Sequence, residues 1–332
     1  MIFDPFKDGY SLVQLSEAIN LLPNMYSRVG GLGLFSFKPQ TNQTVTIEMK
    51  NGVLALVPMT AWGGQPPKNT SGKRNLRSFN IPHTPFEDTV MAADVMGVRV
   101  FGSENTLEAV NQKVNDKLQE MKNKIDQTME FRKFMALKGY LMDADLSIVE
   151  NYFTAFGVTE KVVFFDLDNT AVDPREKCME IVRHIEDNAQ GEVVSGVHSL
   201  VSGEFFDKLI KHPKVRDAYL GWAEAKNALG GDLRKGFTWG GVMFEEYRAV
   251  VDGQRFIDAG EGHCFPLGTQ QTFANYGAPA DFVETVNTIA LPYYARQQNK
   301  DFNRGIDLHV QANQMPMVAR PALIVRVSSA AA

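Results

Sequence analysis

The stretch that decides the fold lies near the end of the chain, where residues 304–311 read RGIDLHVQ. Ile306, Leu308 and Val310 alternate with polar residues, and a period of two is typical of a strand that buries one face. The surrounding region, residues 256–327, interleaves aromatic residues, proline and glycine with short runs of the same kind. The sequence of this region contains no recognisable catalytic motif. The pattern therefore predicts sheet that serves for packing.

Several ordered strings around this strand form a larger pattern. They are GAPADF at 277–282, PYYARQ at 292–297, RGIDLHVQ, and a last strand that follows MP and RP. Earlier blocks are LPNMYSRVGGLGLF at 22–35, VTIEMKNGVLALVP at 45–58, the run from 77 to 103, and HPKV at 212–215. In this order the blocks resemble lambda-type tailed-phage major capsid proteins, the capsid protein E family.

The resemblance implies an α+β fold of the Hong Kong 97 type, with an N-terminal arm, an extended loop, a long spine helix, a peripheral domain and an axial (apical) domain. It implies the following segments: arm 1–43, extended loop (a β-hairpin) 44–82, peripheral domain 83–174 with spine helix 103–138, axial domain 175–290, and return to the peripheral domain 291–332. The implied function is a major capsid protein, made in the host cytoplasm and located in the virion.

The same resemblance implies the partners. Copies of the chain would form pentamers and hexamers of an icosahedral shell, with a scaffolding protein, a portal and, in some members, a decoration protein. The shell would enclose double-stranded DNA without sequence-specific binding. The function would then be structural and would depend on the shape of the subunit and on its contact area with its neighbours. We therefore expect no catalytic residues, no metal and no cofactor.

Composition sets broader limits. The 332 residues, 44% hydrophobic and 22% charged, predict one large or two medium domains. A net charge of −5 argues against sequence-neutral binding to nucleic acid, which needs a basic surface. No run approaches the roughly 18 apolar residues that span a bilayer, and the start does not resemble a signal peptide. Two cysteines, Cys178 and Cys264, do not make a disulfide framework in a chain of this size.

The N-terminal region predicts one short amphipathic helix that begins near Ser11 and stops at Pro23. Its apolar residues recur at three- and four-residue spacing, and among them we take Leu12, Leu15 and Ile19 as candidate inter-subunit contacts. So short a helix cannot bury itself. It needs a surface to lie on, either its own domain or a neighbour, and the glycines at 30–33 predict a flexible arm.

Two strand-like runs, 44–56 and 76–82, surround a long polar connection. Asn51-Gly52 is a strong hairpin signal, and a connection this polar is unusual unless it has a function. By resemblance, residues 44–82 form the loop that reaches across a neighbouring subunit; a solvated hairpin is the alternative. The candidate contacts here are Trp62, Lys68, Lys73, Arg74 and Arg77. We expect the basic residues to meet carboxylates of the adjacent subunit.

Residues 103–138 predict one long helix, with Ser103 as its cap and Gly139 as its stop. It would be about 52 Å long. A single apolar stripe runs along it, and Lys113, Lys117, Lys122 and Lys124 are expected among its exposed charges. A coiled-coil helix in a scaffold or adaptor protein is the alternative.

The string VVFFDLDNT at 162–170 resembles the first motif of the haloacid-dehalogenase phosphatases. There Asp166 would attack phosphorus and Asp168 would protonate the leaving group, with Mg²⁺ beside them. No paired acidic motif follows to complete the Mg²⁺ site, and the sequence after residue 225 does not alternate strand with helix. The structural alternative is a turn and a helix start, with Asp173 as N-cap and Pro174 at the first helical position.

Between these landmarks the sequence predicts a buried strand within 192–202, flanked by helices, and a hairpin over 237–251 that turns at Gly240-Gly241. The six histidines are scattered without metal-ligand spacing.

Overall fold

The computed structural model describes residues 12–23, 27–50, 74–95, 106–228, 235–251 and 253–331. Helices and sheets are mixed along the chain. The helices are α1 Leu12–Leu21, α2 Arg28–Gly31, α3 Ala92–Val95, α4 Thr106–Leu137, α5 Tyr152–Phe156, α6 Pro174–Asn188, α7 Gly203–Lys211 and α8 Pro213–Ala228. Short 3-10 turns occupy Val283–Thr285, Asp301–Asn303 and Pro321–Leu323.

The strands vary from two to seven residues in length. They are β1 Ser36–Pro39, β2 Thr44–Lys50, β3 Arg74–Asn80, β4 Pro85–Met91, β5 Tyr140–Met142, β6 Ile148–Asn151, β7 Lys161–Phe164, β8 Gly196–Val201, β9 Lys235–Trp239, β10 Val242–Glu246, β11 Val250–Val251, β12 Gln254–Arg255, β13 Glu261–Leu267, β14 Phe273–Gly277, β15 Tyr294–Asn299, β16 Gly305–Gln311, β17 Gln314–Val318 and β18 Val325–Ser328.

The chain divides into two compact units. The spine unit contains residues 1–45, 78–133 and 275–316, and the sheet unit contains residues 46–77, 134–274 and 317–332. The predicted return of the last segment is therefore divided: 291–316 belongs to the spine unit, whereas β18 pairs with β13 and β7 in the sheet unit. The five-segment division stays a prediction.

Helix α4 confirms the predicted long helix over 106–137; Ser103 lies outside the described residues. The helix ends because Gly139 adopts a φ of +90°, where a side chain would be strained. A Cβ at this position would also lie 2.2 Å from the ring of Phe153. Its 32 residues give a length of about 48 Å.

The spine unit is built on the apolar stripe of α4. Strands β15, β16 and β4 form one antiparallel sheet in that order, and Ile306, Leu308 and Val310 of the central strand are all buried. The predicted period of two is confirmed. Together the core contains Leu15, Ile19, Val90, Val114, Leu118, Met121, Ile125, Met129, Ala295, Ile306, Leu308, Val310 and Ala312. From Val114 to Met129 the stripe is thus covered by its own chain, and this described part offers no seam for the coiled coil of an adaptor protein.

The sheet unit contains a six-stranded mixed sheet in the order β7-β18-β13-β8-β10-β9. Strand β8 lies inside it, parallel to β10 and antiparallel to β13, and residues 197–201 are buried. This confirms the predicted buried strand between helices α6 and α7. The hairpin of β9 and β10 turns at Gly240 and Gly241, with φ of +58° and +88°, as the sequence predicts.

Helices α6 and α7 of the sheet unit begin at side-chain caps. Asp173 Oδ1 accepts a hydrogen bond from the amide of Arg175 at 2.9 Å, directly before Pro174. Ser202 Oγ accepts from the amide of Phe205 at 3.2 Å and so starts α7. Phe205 and Phe206 then enter a core shared with the other helices and the sheet. Phe205 packs against Phe165 with ring centroids 5.3 Å apart.

One buried imidazole lies in this sheet. His263 of β13 is in contact with the edge of Phe134, and its Nε2 has no hydrogen-bond partner. Burial, with Lys138 and Arg326 nearby, holds the pKa of His263 well below its usual 6.5. In the adjacent strand β8, His198 Nε2 lies 3.2 Å from Oε2 of Glu245 in β10, and both side chains are buried. The folded state therefore keeps His263 neutral.

This arrangement predicts an acid-sensitive sheet unit. Above pH 6.5 the imidazole of His263 is neutral in both the folded and the unfolded chain. Below pH 6.5 this imidazole binds a proton in the unfolded chain but stays neutral in the folded chain, because its pKa is lowered there. The free energy of unfolding should then fall by about 1.4 kcal/mol per pH unit from this group alone. In His263→Leu that part of the slope should vanish, as measured by urea unfolding from about pH 7.5 to pH 5. Parallel pH curves for the two proteins would contradict it.

Candidate functional site

The two aspartates of the phosphatase-like string take part in a turn and an ion pair. Asp166 has a φ of +46°, and its Oδ2 accepts from Asn169 Nδ2 at 3.1 Å. Asp168 Oδ2 lies 2.7 Å from Lys208 Nζ in an ion pair exposed to solvent. These contacts fix the turn before α6. They bring no further carboxylate to Asp166.

The strand that leads to Asp166, β7, is an edge strand of the six-stranded sheet. Strand β7 has β18 as its parallel neighbour, and β18 ends at Ser328 and leads into Ser329 and Ala330, none of which carries a carboxylate. A phosphatase of this type needs a second acidic strand end to hold Mg²⁺. In the described part of the chain no group of three His, Cys, Asp or Glu residues could hold a metal ion. The phosphatase alternative is therefore not supported.

A pair of substitutions tests this interpretation. Asp166→Asn should leave shell formation intact and change the free energy of unfolding by about 1 kcal/mol or less, because Asn tolerates a left-handed backbone. Asp173→Ala removes the cap of α6 and should cost about 0.5–2 kcal/mol. Urea unfolding of both variants makes the comparison. Magnesium-dependent hydrolysis of p-nitrophenyl phosphate that disappears in Asp166→Asn would contradict the assignment.

The predicted extended loop is described in part. Strands β2 and β3 pair with each other in a two-stranded sheet. Arg74 is the first residue of β3, and Arg77 is exposed beside Leu76, whose side chain is 68% exposed. Trp62, Lys68, Lys73 and the Asn51-Gly52 turn lie outside the described residues.

The arm helix corrects another prediction. Leu15 and Ile19 are buried in the core of their own spine unit, so they have no surface left for contact with another subunit. Ser16 Oγ accepts from the amide of Ala295 at 3.1 Å, and Asn20 Nδ2 donates to the carbonyl of Tyr293 at 2.9 Å. The helix therefore lies on its own chain. Leu12 opens α1, and its contacts stay a prediction.

The arm after α1 is also fixed to α4. Glu130 accepts hydrogen bonds from the amides of Val29 and Gly30, at 2.7 and 3.0 Å. Its carboxylate takes the place of a side-chain cap at the start of α2, where Ser27 makes none. The first two glycines of the GGLG stretch lie in α2, which runs to Gly31, and the flexibility of the arm stays a prediction.

Lys122 was expected to be exposed but is fully buried. Its Nζ donates to the carbonyl of Leu22 at 2.5 Å and lies 5.0 Å from the centroid of the Tyr293 ring. Burial lowers its pKa, and the nearby Asp126 partly opposes that shift. The Tyr293 hydroxyl donates to Asp126. Sequence reasoning missed this group, although Lys122, Asp126 and Glu130 recur every four residues beside the apolar stripe.

Two alanine substitutions in α1 test where the arm lies. Ile19→Ala should lower the free energy of unfolding of the unassembled subunit by about 2–5 kcal/mol, because it leaves a cavity in the core. Leu21→Ala is the matched control: Leu21 is 86% exposed, and its loss should change stability by about 0.5 kcal/mol or less. If both substitutions have equally small effects in urea unfolding, Ile19 is not part of the core and is again a candidate inter-subunit contact.

Among the exposed apolar side chains of the residues that the structure describes, three places are candidates for contact with partners. The tip of the β5–β6 hairpin exposes Ile148 and Val149 at 58% and 54%. The loop before β15 exposes large apolar side chains at Val283, Val286, Ile289 and Leu291. The turn between β15 and β16 exposes Phe302, which has a φ of +61°. Among the helices that the structure describes, none has the length and apolar character to cross a membrane.

Comparison with known proteins gives one consistent result. The family model described as "Phage major capsid protein E" matches residues 11–329. The chain is 30% identical to the major capsid protein of Salmonella phage Felix O1 over 363 aligned residues, which cover 98% of each chain.

Solved structures agree on the fold. The crystal structure of the putative capsid protein of an Escherichia coli CFT073 prophage matches with a TM-score of 0.55 at 11% identity, covering 96% of this chain and 99% of that one. The mature capsid of bacteriophage PhiM1 matches with a TM-score of 0.51 at 14% identity, covering 92% and 88%. These likenesses confirm the predicted α+β fold of the Hong Kong 97 type.

Proposed function

We propose that the chain, which belongs to the Phage major capsid protein E family, builds the icosahedral shell of a tailed phage from pentamers and hexamers of itself. It is a structural major capsid protein located in the virion shell, and not an enzyme. The observation that carries this function is the family match along almost the whole chain, residues 11–329 of 332.

The distribution of apolar side chains supports assembly. The cores of both units are filled, while large apolar groups remain exposed at a hairpin tip, a loop and a turn. Exposed apolar groups of this kind mark surfaces for protein partners. In a subunit that forms a shell, the partner available at every such surface is another copy.

The loop of residues 44–82 is proposed to cross a neighbouring subunit. The pairing of β2 with β3 supports this, because it gives the loop two paired strands at its base. Leu76 and Arg77 are exposed on β3, and we propose both for the contact. Trp62, Lys68, Lys73 and Arg74 are proposed for the same contact.

The remaining partners follow from the family. We propose a scaffolding protein, a portal and, where the phage encodes one, a decoration protein as partners of the shell. The enclosed double-stranded DNA would meet a chain of net charge −5, which disfavours tight binding to phosphate.

Negative-stain microscopy of the expressed full chain tests the proposal directly. Closed shells, tubes or capsomer rings are expected from a capsid subunit. A small finite oligomer would favour an adaptor protein, and featureless monomers at high concentration would contradict self-assembly.

A charge reversal in the loop separates folding from assembly. Lys73, Arg74 and Arg77 changed together to Glu should leave the subunit soluble, with nearly unaltered thermal unfolding, while closed shells fail to form or require more salt. Each ion pair contributes only about 0–1 kcal/mol, but a shell repeats it at every copy.

The control carries the same change of charge elsewhere. Arg183, Lys211 and Arg216 are exposed on α6, α7 and α8, and their change to Glu gives the same net charge, −5 − 6 = −11. Shells should form in the control. Normal assembly of the loop variant at low salt would contradict the contact, and unfolding of its monomer would place the segment in a core.

A further inference from the structure

We propose that the tip of the β5–β6 hairpin, residues 143–149, is the surface of a neighbouring subunit that receives strand β3 of the extended loop. The occupant is a second copy of this chain, and its contact residues are Leu76 and Arg77. This inference rests on the proposed function, since it names the place where the loop of one subunit meets the next.

The base of the hairpin is anchored in the sheet unit. Leu141 is buried, and the ring of Tyr140 meets the edge of Phe153 at a centroid distance of 6.2 Å. The amide of Tyr152 donates to the carbonyl of Gly139 at 2.9 Å, which closes the base. All seven residues from 143 to 149 are exposed. The tip therefore projects from a fixed support.

The tip carries apolar groups that its own unit does not cover. Ile148 and Val149 are consecutive in β6, so they point to opposite faces of the ribbon, and both are exposed. Leu146 next to them is also exposed. A two-stranded ribbon is marginal in water by itself. An added strand from another copy would bury these side chains and support the ribbon.

Hydrogen bonds fix the shape of the tip in advance. Asp145 Oδ1 accepts from the amide and the hydroxyl of Ser147, at 2.9 and 2.6 Å. The amide of Asp143 donates to the carbonyl of Ser147 at 3.0 Å. The bonds from Ser147 lower the pKa of Asp145, so this carboxylate stays charged. A surface shaped before binding loses little conformational freedom when the partner arrives.

Opposite charges on the hairpin tip and on β3 favour β3 as the segment that binds the tip. The tip, residues 143–149, contains Asp143 and Asp145 and no basic residue, whereas β3, residues 74–80, contains Arg74 and Arg77 and no acidic residue. Two negative charges of the tip thus match two positive charges of β3. Leu76, 68% exposed beside Arg77, supplies an apolar group to match Ile148 and Val149. Opposite charges guide association and fix its register, while the apolar contact adds affinity.

The other exposed apolar surfaces fit β3 less well. Phe302 stands between Lys300 and Arg304, and the guanidinium of Arg304 lies 5.3 Å from the centroid of the Phe302 ring. That turn offers a basic strand no net negative charge, because Lys300 and Arg304 outnumber Asp301. In the loop at 283–291 the acidic residue is Glu284, and it already pairs with Arg296 at 3.2 Å.

A charge change that spares the turn tests the proposal. Ala144→Lys with Ile148→Lys adds two positive charges at exposed positions whose side chains make no hydrogen bonds in the turn. The full-length variant should unfold at the temperature of the unaltered subunit but lose closed shells in negative-stain images. The control, Met179→Lys with Leu220→Lys, adds the same charge at exposed positions of α6 and α8 and should assemble.

Combination with the loop variant makes the test specific. The chain that carries both Lys substitutions at the tip and Glu at 73, 74 and 77 should regain shells, because both charges of the contact are reversed together. Normal shells from the tip variant alone, or no recovery in the combined chain, would overturn the inference. The loop variant alone reports on the proposed function, so the two can fail independently.

Cross-linking decides whether the contact joins different copies. Subunits with Arg77→Cys are assembled together with subunits carrying Ile148→Cys, and the shells are treated with a short bismaleimide; the native Cys178 and Cys264 are both buried. A cross-linked dimer should appear in mixed shells and in neither variant alone. Its absence from mixed shells would overturn the inference. A cross-link within one chain of the double-cysteine variant, with no dimer, would also overturn it.

Discussion

The spine unit depends on one constraint, which is that the apolar stripe of α4 must be covered along its length. From Val114 to Met129 the stripe extends about 22 Å. Helix α1 and the sheet of β15, β16 and β4 provide the cover, and they come from both ends of the sequence. Because the chain itself covers this stripe from Val114 to Met129, these side chains are not available for contacts with other copies.

Polar groups beside the stripe determine the path of the arm. Lys122 binds the carbonyl that follows α1, and Glu130 binds the amides that begin α2. A buried charge without partners would cost several kcal/mol, whereas a charge with hydrogen bonds is tolerated. A different path of the arm would lose these hydrogen bonds. The polar positions therefore favour the observed register of this segment.

The features that the sequence predicted well depend on neighbours along the chain. The stripe of α4, the alternation in β16, the turn at Gly240-Gly241 and the cap at Asp173 are all local patterns, and each is present. The failures involve distant partners. Lys122 meets Leu22 at a separation of 100 residues, and Ser16 in α1 meets Ala295 at a separation of 279. Periodicity identified α1 as amphipathic but did not specify the surface that its apolar face would meet. The loop tip and most of its candidate contacts lie outside the described residues, so those positions stay predictions.

The carboxylates at 166 and 168 illustrate why a site requires its surroundings. Their spacing suits phosphoryl transfer, but the neighbouring strand end carries serine and alanine, and Asp168 pairs with Lys208. In the proposed shell, the contacts between copies instead come from exposed features, each of which is small. A single exposed ion pair contributes about 0–1 kcal/mol, too little to hold two subunits together. Such a contact lets a misplaced subunit leave, and it becomes strong only when a closed shell repeats it around every copy. A stable fold with weak, repeated contacts is thus a physical requirement of self-assembly, and it explains why the filled cores and the exposed apolar tips occur in separate places.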